Sequence, residues 1–98
     1  MSDPNALVLV IAPGLGPDNV ERLSARLRAE LRRRPAVRTD CDVAALTAPT
    51  LATIDALARL QRRARALGAP LRLVGAPARL RELVELAGLA AVLPAAER

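Results

Sequence analysis

Five consecutive apolar residues, Leu7-Val-Leu-Val-Ile, are cut off by Pro13, Gly14 and Gly16. A short run with no polar residue in it suits a strand covered on both faces. Directly behind it, Pro17-Asp18-Asn19 supplies helix-start chemistry, and Val20, Leu23, Leu27 and Leu31 recur at three- and four-residue spacing. A helix over 18–34 is therefore expected, with Pro35 as its stop. Its outer side sets Asp18 against Arg22, Arg26 against Glu30 and Glu30 against Arg34, pairs worth about 0.2–0.5 kcal/mol each.

The same alternation continues. Between Val37 and Val43 apolar and polar residues alternate, so Val37, Thr39, Cys41 and Val43 share one face of a second strand, with Cys41 inward. Residues 44–49 form a connecting loop. Thr50 is a suitable cap for a helix running to Leu67, with Ile54, Leu57, Leu60, Ala64 and Leu67 on its buried stripe and Gly68 closing it. Leu71-Arg-Leu-Val makes a third strand. Pro77 stands where the first turn of a helix accepts proline, Leu80, Leu83, Val84 and Ala87 carry that helix onward, and Gly88 ends it. Ala91-Val-Leu is the candidate for a last strand. The expected fold is α/β: one domain over residues 1–98, with a small, mostly parallel sheet, right-handed crossovers and three to four helices.

Composition narrows the function. No Phe, Trp or Tyr is present, so the core is aliphatic and the chain has no rings on which bases could stack. The net charge of +5 comes from Arg alone among the bases, and Arg32 to Arg34 and Arg62, Arg63 and Arg65 fall where a helix C-terminus welcomes cations. Nucleic-acid binding is not expected. With no His and one Cys, neither an internal disulfide, a Cys/His zinc site nor a Ser-His nucleophile can form. No apolar stretch is long enough for a membrane span, and Asp3 and Pro4 stand where a secretory signal would be basic, so a cytoplasmic protein without direct membrane insertion is expected.

Two local patterns have chemical readings. Gly14-Leu-Gly16 follows a strand and opens a helix, with Asp40 and Asp42 further on, in the manner of a dinucleotide-binding turn. Asn19 occupies the third glycine position, however, and Pro17 removes an N–H, so a plain βα turn is the stronger reading. Asp40 and Asp42 project from one strand face, but the chain offers no convergent ligands or base beside them. They are expected to satisfy loop amides. Cys41 reads as a small buried hydrophobe, and Ser24 sits mid-helix without a base.

Asp42-Val-Ala-Ala-Leu-Thr-Ala-Pro-Thr-Leu-Ala-Thr resembles the segment D-L-S-x-V-x-x-x-D-S-S-G of the STAS domains, the family of anti-sigma-factor antagonists and sulfate-transporter domains. Gly68 to Leu89 is similar to that family's ending, a glycine, a strand, a proline, a helix and a Gly-Leu. The resemblance spans about residues 42–94, and Leu7 to Ala36 match only in the order of elements. It puts Asp42 at the first family Asp, Thr50 at the second, Leu51 at the first Ser, Ala52 at the phosphorylated Ser and Thr53 at the Gly. Asp42, Gly68, Pro77 and Gly88 become its structural positions.

The resemblance implies a regulatory interaction module, without cofactor or catalysis, whose partner is a kinase-type anti-sigma factor. Ala48, Pro49, Thr50, Leu51, Ala52 and Thr53 are then the partner-binding residues, with Arg59, Arg62 or Arg63 as a polar rim. Ala52 lacks the hydroxyl that a kinase would modify, which implies binding without the phospho-switch; Thr53 or Thr50 would be the substitute acceptor. The alternatives are a regulatory subunit on the ATPase of a lipid-transport ABC system, and a small-molecule or nucleotide-binding domain. Homodimerisation through helix faces or a sheet edge stays open.

Overall fold

The computed structural model describes residues 5–35 and 38–96. Three strands, β1 (Ala6–Val10), β2 (Arg38–Asp42) and β3 (Leu71–Val74), alternate with three helices, α1 (Val20–Arg33), α2 (Leu51–Ala66) and α3 (Ala78–Leu86). The sheet is parallel throughout and its order follows the chain, β1-β2-β3. Right-handed crossovers that advance in one direction across a sheet set their helices on one side. That side holds the core.

Leu7 and Leu9 of β1, Thr39 and Cys41 of β2, and Leu71 and Leu73 of β3 point into it, packed by Val20, Leu23 and Leu27 from α1 and by Ile54, Leu57, Leu60 and Ala64 from α2. Leu80 and Val84 bring α3 to the same cluster. Spacing alone puts Thr39 and Cys41 of β2 and the residues of α1, α2 and α3 named here on buried faces, and it assigns no inward side to β1 or β3. Val37 lies outside the described residues.

The opposite sheet face corrects the expectation for β1. Val8 and Val10 look outward at 54% and 58% exposure, so the first strand is covered on one face only. A uniform apolar run cannot show which face is free; the crossover handedness decides that. Across this face Val8, Asp40 and Arg72 stand in one row of the register, and Asp40 is hemmed by the guanidinium groups of Arg38 at 3.4 Å and Arg72 at 3.3 Å.

Three smaller differences also have local causes. The first helix is preceded by a 3₁₀ turn at Pro17–Asn19 in place of starting at 18, because Asn19 bonds back to Gly16 and tightens the entry. Arg22 and Arg26 make no ion pair among the described residues, whereas Glu30 reaches Arg33 at 3.6 Å. Residues 91–93 do not form a strand: Leu93 folds inward, and only Ala95 bridges to Leu73, in parallel sense. Among the described residues the helix count is three plus the 3₁₀ turn.

Gln61 ties these parts together. It is buried to 1% exposure, its Nε2 donates to the carbonyls of Leu71 at 2.9 Å and Val92 at 2.8 Å, and its Oε1 accepts from the Leu71 amide at 2.7 Å. A polar side chain on the apolar stripe of α2 thus satisfies backbone groups at the start of β3 and in the C-terminal segment, which burial would otherwise leave unpaired.

Candidate docking site

The connection from β2 to α2 is held at both ends. Asp42 Oδ1 accepts from the Ala44 amide at 3.0 Å, the Val43 amide donates to the Val74 carbonyl at 3.0 Å, and Leu46 is buried as an anchor. Asp42 therefore satisfies a loop amide, as its place at the end of the strand suggested. Asp40 does something else and receives two arginines instead. Among the described residues no group of three or more potential ligands gathers to hold a metal.

At the start of α2, two threonines close a reciprocal cap. The Thr50 amide donates to Thr53 Oγ1 at 3.0 Å, and the Thr53 amide donates to Thr50 Oγ1 at 3.4 Å. This is the capping-box arrangement with Thr standing where Glu or Gln is usual, and loss of such a cap costs about 1 kcal/mol. The extended backbone of Thr50 then hands over to the helix, whose first internal bond runs from the Ile54 amide to the Thr50 carbonyl at 3.2 Å. At the other end Gly68 takes a φ of +75°, a left-handed conformation that closes a helix and strains any residue with a Cβ.

The cap sorts the six site residues into two groups. Thr53 is turned inward, 6% exposed, with its hydroxyl committed to Thr50. Ala48, Thr50, Leu51 and Ala52 face solvent and Pro49 is half-buried. Leu51 is 72% exposed, which makes it a large apolar side chain in solvent at the first position of a capped helix. Beside it, Ala52 presents only a methyl group. Neither residue packs against the core, so sequence periodicity, which finds cores, could not have selected Leu51; only the resemblance did.

Other sites implied by the sequence are filled by structural roles. In the glycine turn, the Gly16 amide donates to Asn19 Oδ1 at 2.8 Å, so it is turned to the chain's own side chain rather than to a phosphate. Ser24 Oγ donates to the Glu21 carbonyl at 3.1 Å. Cys41 is fully buried, and burial together with the neighbouring Asp42 carboxylate pushes its thiol up from 9.0 to about 12. It is a packing residue. Pro77 stands one position ahead of the first turn, as the N-cap of α3, and Gly88 follows that helix. No helix of the described residues is long and apolar enough to cross a membrane.

A three-stranded parallel sheet with all its helices on one side and a capped turn at the head of the second is the architecture of a STAS-type α/β domain. RsbS of Moorella thermoacetica, solved as a Ser-to-Glu variant, has the same fold, with a TM-score of 0.76 and 20% identity over 98% of this chain and 84% of that one. The protein TM1081, solved by NMR, is similar at a TM-score of 0.72 and 10% identity, over 99% of this chain and 77% of that one. The family model described as "Mlab, STAS domain" matches residues 1–94, and the chain belongs to that family. No curated protein sequence matches it.

Proposed function

We propose that this domain is a non-catalytic regulatory module of the anti-sigma-factor-antagonist kind, working in the cytoplasm and docking on a kinase-type anti-sigma factor through Ala48, Pro49, Thr50, Leu51 and Ala52. The observation that carries this reading is Leu51, held in water at the head of α2 by a turn that is fixed at the Asp42–Ala44 bond and at the reciprocal Thr50–Thr53 cap. An exposed leucine on a pre-ordered turn loses little conformational entropy on association, and small neighbours let a partner surface close around it. Thr53 supports the turn from beneath and is not part of the contact.

Binding on this reading is constitutive. Position 52 has no hydroxyl, and the one at position 53 is buried and hydrogen-bonded, so a kinase active site would have to dismantle the cap to reach it. Thr50 faces solvent but its hydroxyl accepts from the Thr53 amide, so incubation with a kinase-type partner and ATP is expected to leave both threonines unmodified, and phosphate found on either by mass spectrometry would overturn the constitutive reading.

The contact itself is tested by Ala52→Asp. A carboxylate in the first turn of a helix is favoured by the positive end of the macrodipole, so the fold is kept. At the interface the same charge meets an apolar contact and must be desolvated, which lowers affinity by about tenfold or more. Unchanged affinity in a variant with unaltered circular dichroism would move the interface away from this turn.

A second reading keeps the surface and changes the partner to the ATPase of a lipid-transport ABC system. Ala52 favours it, since a docking subunit with no switch has no use for a hydroxyl at that position. Affinity capture from the native cell extract separates the two readings by the identity of the protein retained on the wild-type domain and lost from Ala52→Asp.

A further inference from the structure

The outward face of α2 carries more positive charge than helix chemistry asks for. Its exposed charged residues are Asp55, Arg59, Arg62, Arg63 and Arg65, four cations to one anion. The negative end of the macrodipole accounts for Arg63 and Arg65, which lie in the last turn. Arg59 and Arg62 lie before it, so the helix C-terminus expected to account for Arg62 does not. Asp55 pairs with Arg59 at 2.9 Å, and Arg63 reaches across to Glu21 of α1. Arg62 has no ion pair among the described residues.

Helical spacing puts Leu51, Asp55, Ala58 and Arg62 on one stripe, with Leu51 and Arg62 about 16 Å apart along the axis. The stripe begins at the apolar Leu51 and ends at the cationic Arg62, and the carboxylate between them, Asp55, is taken up by Arg59. We infer that the partner engaged by the turn presents an apolar pocket for Leu51 and, on the order of 16 Å away, a carboxylate cluster that receives Arg62 and its neighbours. A guanidinium offers carboxylates a paired geometry that water does not match, so this end of the helix fixes the direction in which the partner lies and speeds its approach.

The inference rests on the docking role proposed for the turn and adds the chemistry of the partner. An anionic membrane is a poorer match. A helix lying in a bilayer surface needs an apolar stripe along its length, and the one that α2 has, Ile54, Leu57, Leu60 and Ala64, is already spent on the core.

The test measures association of the purified domain with the cognate kinase-type anti-sigma factor and with the transporter ATPase, by biolayer interferometry. For the partner that binds, the association rate should fall about tenfold or more as salt rises from about 20 to about 200 mM, and Arg62→Glu should lower it about tenfold while Arg62→Lys keeps most of it. Leu51→Asp should raise the dissociation rate whatever the salt. If Leu51→Asp destroys binding while salt and Arg62→Glu leave the rate unchanged, the turn docks but the partner is not acidic, and this inference fails alone. If Leu51→Asp binds like wild type, or if neither partner binds, the docking role fails and takes the inference with it. Retention on vesicles of anionic phospholipid that Arg62→Glu abolishes, with partner binding unaffected, would assign the cationic stripe to a membrane instead and overturn it too.

Discussion

At the scale of single residues, burial and hydrogen bonding separate chemistry from packing. Cys41 could pass for a reactive thiol in a list of residue types, yet it lies in the core on the central strand with its ionisation opposed first by desolvation and then by Asp42. Its pKa of about 12 in the fold stands against an ordinary value of 9.0 for a solvated thiol. The folded state therefore holds this proton more tightly than the unfolded chain. Below pH 9.0 that difference has no effect on stability; above it the unfolded chain ionises first, and stability is lost until the folded thiol ionises near pH 12. Urea unfolding should thus show stability falling with pH above 9, by at most about 1.4 kcal/mol per unit from this group, and Cys41→Ala should remove that share of the slope. A thiol reagent that labels native Cys41 at pH 8 as fast as free cysteine would contradict the burial argument. Thr53 makes the same distinction in another form, since the hydroxyl that looks available in the sequence is the one that holds the helix start together.

Among elements, α2 has three tasks: its inner stripe packs the sheet, its first turn offers Leu51, and its middle holds the tether made by Gln61. Gln61→Ala would leave the Leu71 amide and carbonyl without their partner inside the core, a loss of about 3 kcal/mol with a cavity besides. Chemical denaturation should show that loss, and hydrogen exchange should show residues 92–96 losing protection before the sheet does. A change below about 0.5 kcal/mol would mean that water or neighbouring groups replace the amide, contrary to the tether. Helices and strands with a clear period were legible from sequence: α2 and β3 lie where Ile54, Leu57, Leu60, Leu71 and Leu73 place them. The role of Gln61 was not, because a polar residue on an apolar stripe signals burial only once its partners, ten and thirty-one residues away, are in place. The last strand failed for a related reason. Ala91-Val-Leu has strand-like composition, but Leu93 is needed in the core and the chain turns to deliver it.

For the molecule as a whole, one-sided covering of a parallel sheet divides the surface into two unlike halves. The open sheet face carries Val8, Val10 and the Asp40 ion pairs, and the helical side carries the capped turn and the cationic stripe. Element order alone was enough to foresee an α/β sheet with right-handed crossovers, since each strand run is followed by a helix pattern long enough to cross back. Which face would stay open was hidden, because Leu7-Val-Leu-Val-Ile reads the same from either side. The turn proposed to dock was selected only by resemblance, as Ala48, Leu51 and Ala52 carry no periodic or chemical signal of their own, and the structure adds that Leu51 is exposed beside a hydrogen-bonded cap.

That support is the basis of the functional proposal, and its most direct test is the accessible surface of Leu51 in a solved complex with the partner. The proposal predicts that this side chain, 72% exposed in the free domain, sits enclosed in an apolar pocket of the bound protein with Ala48 and Ala52 against its rim. A complex in which Leu51 stays in water, with the partner seated over Val8 and Val10 or against α3, would contradict it.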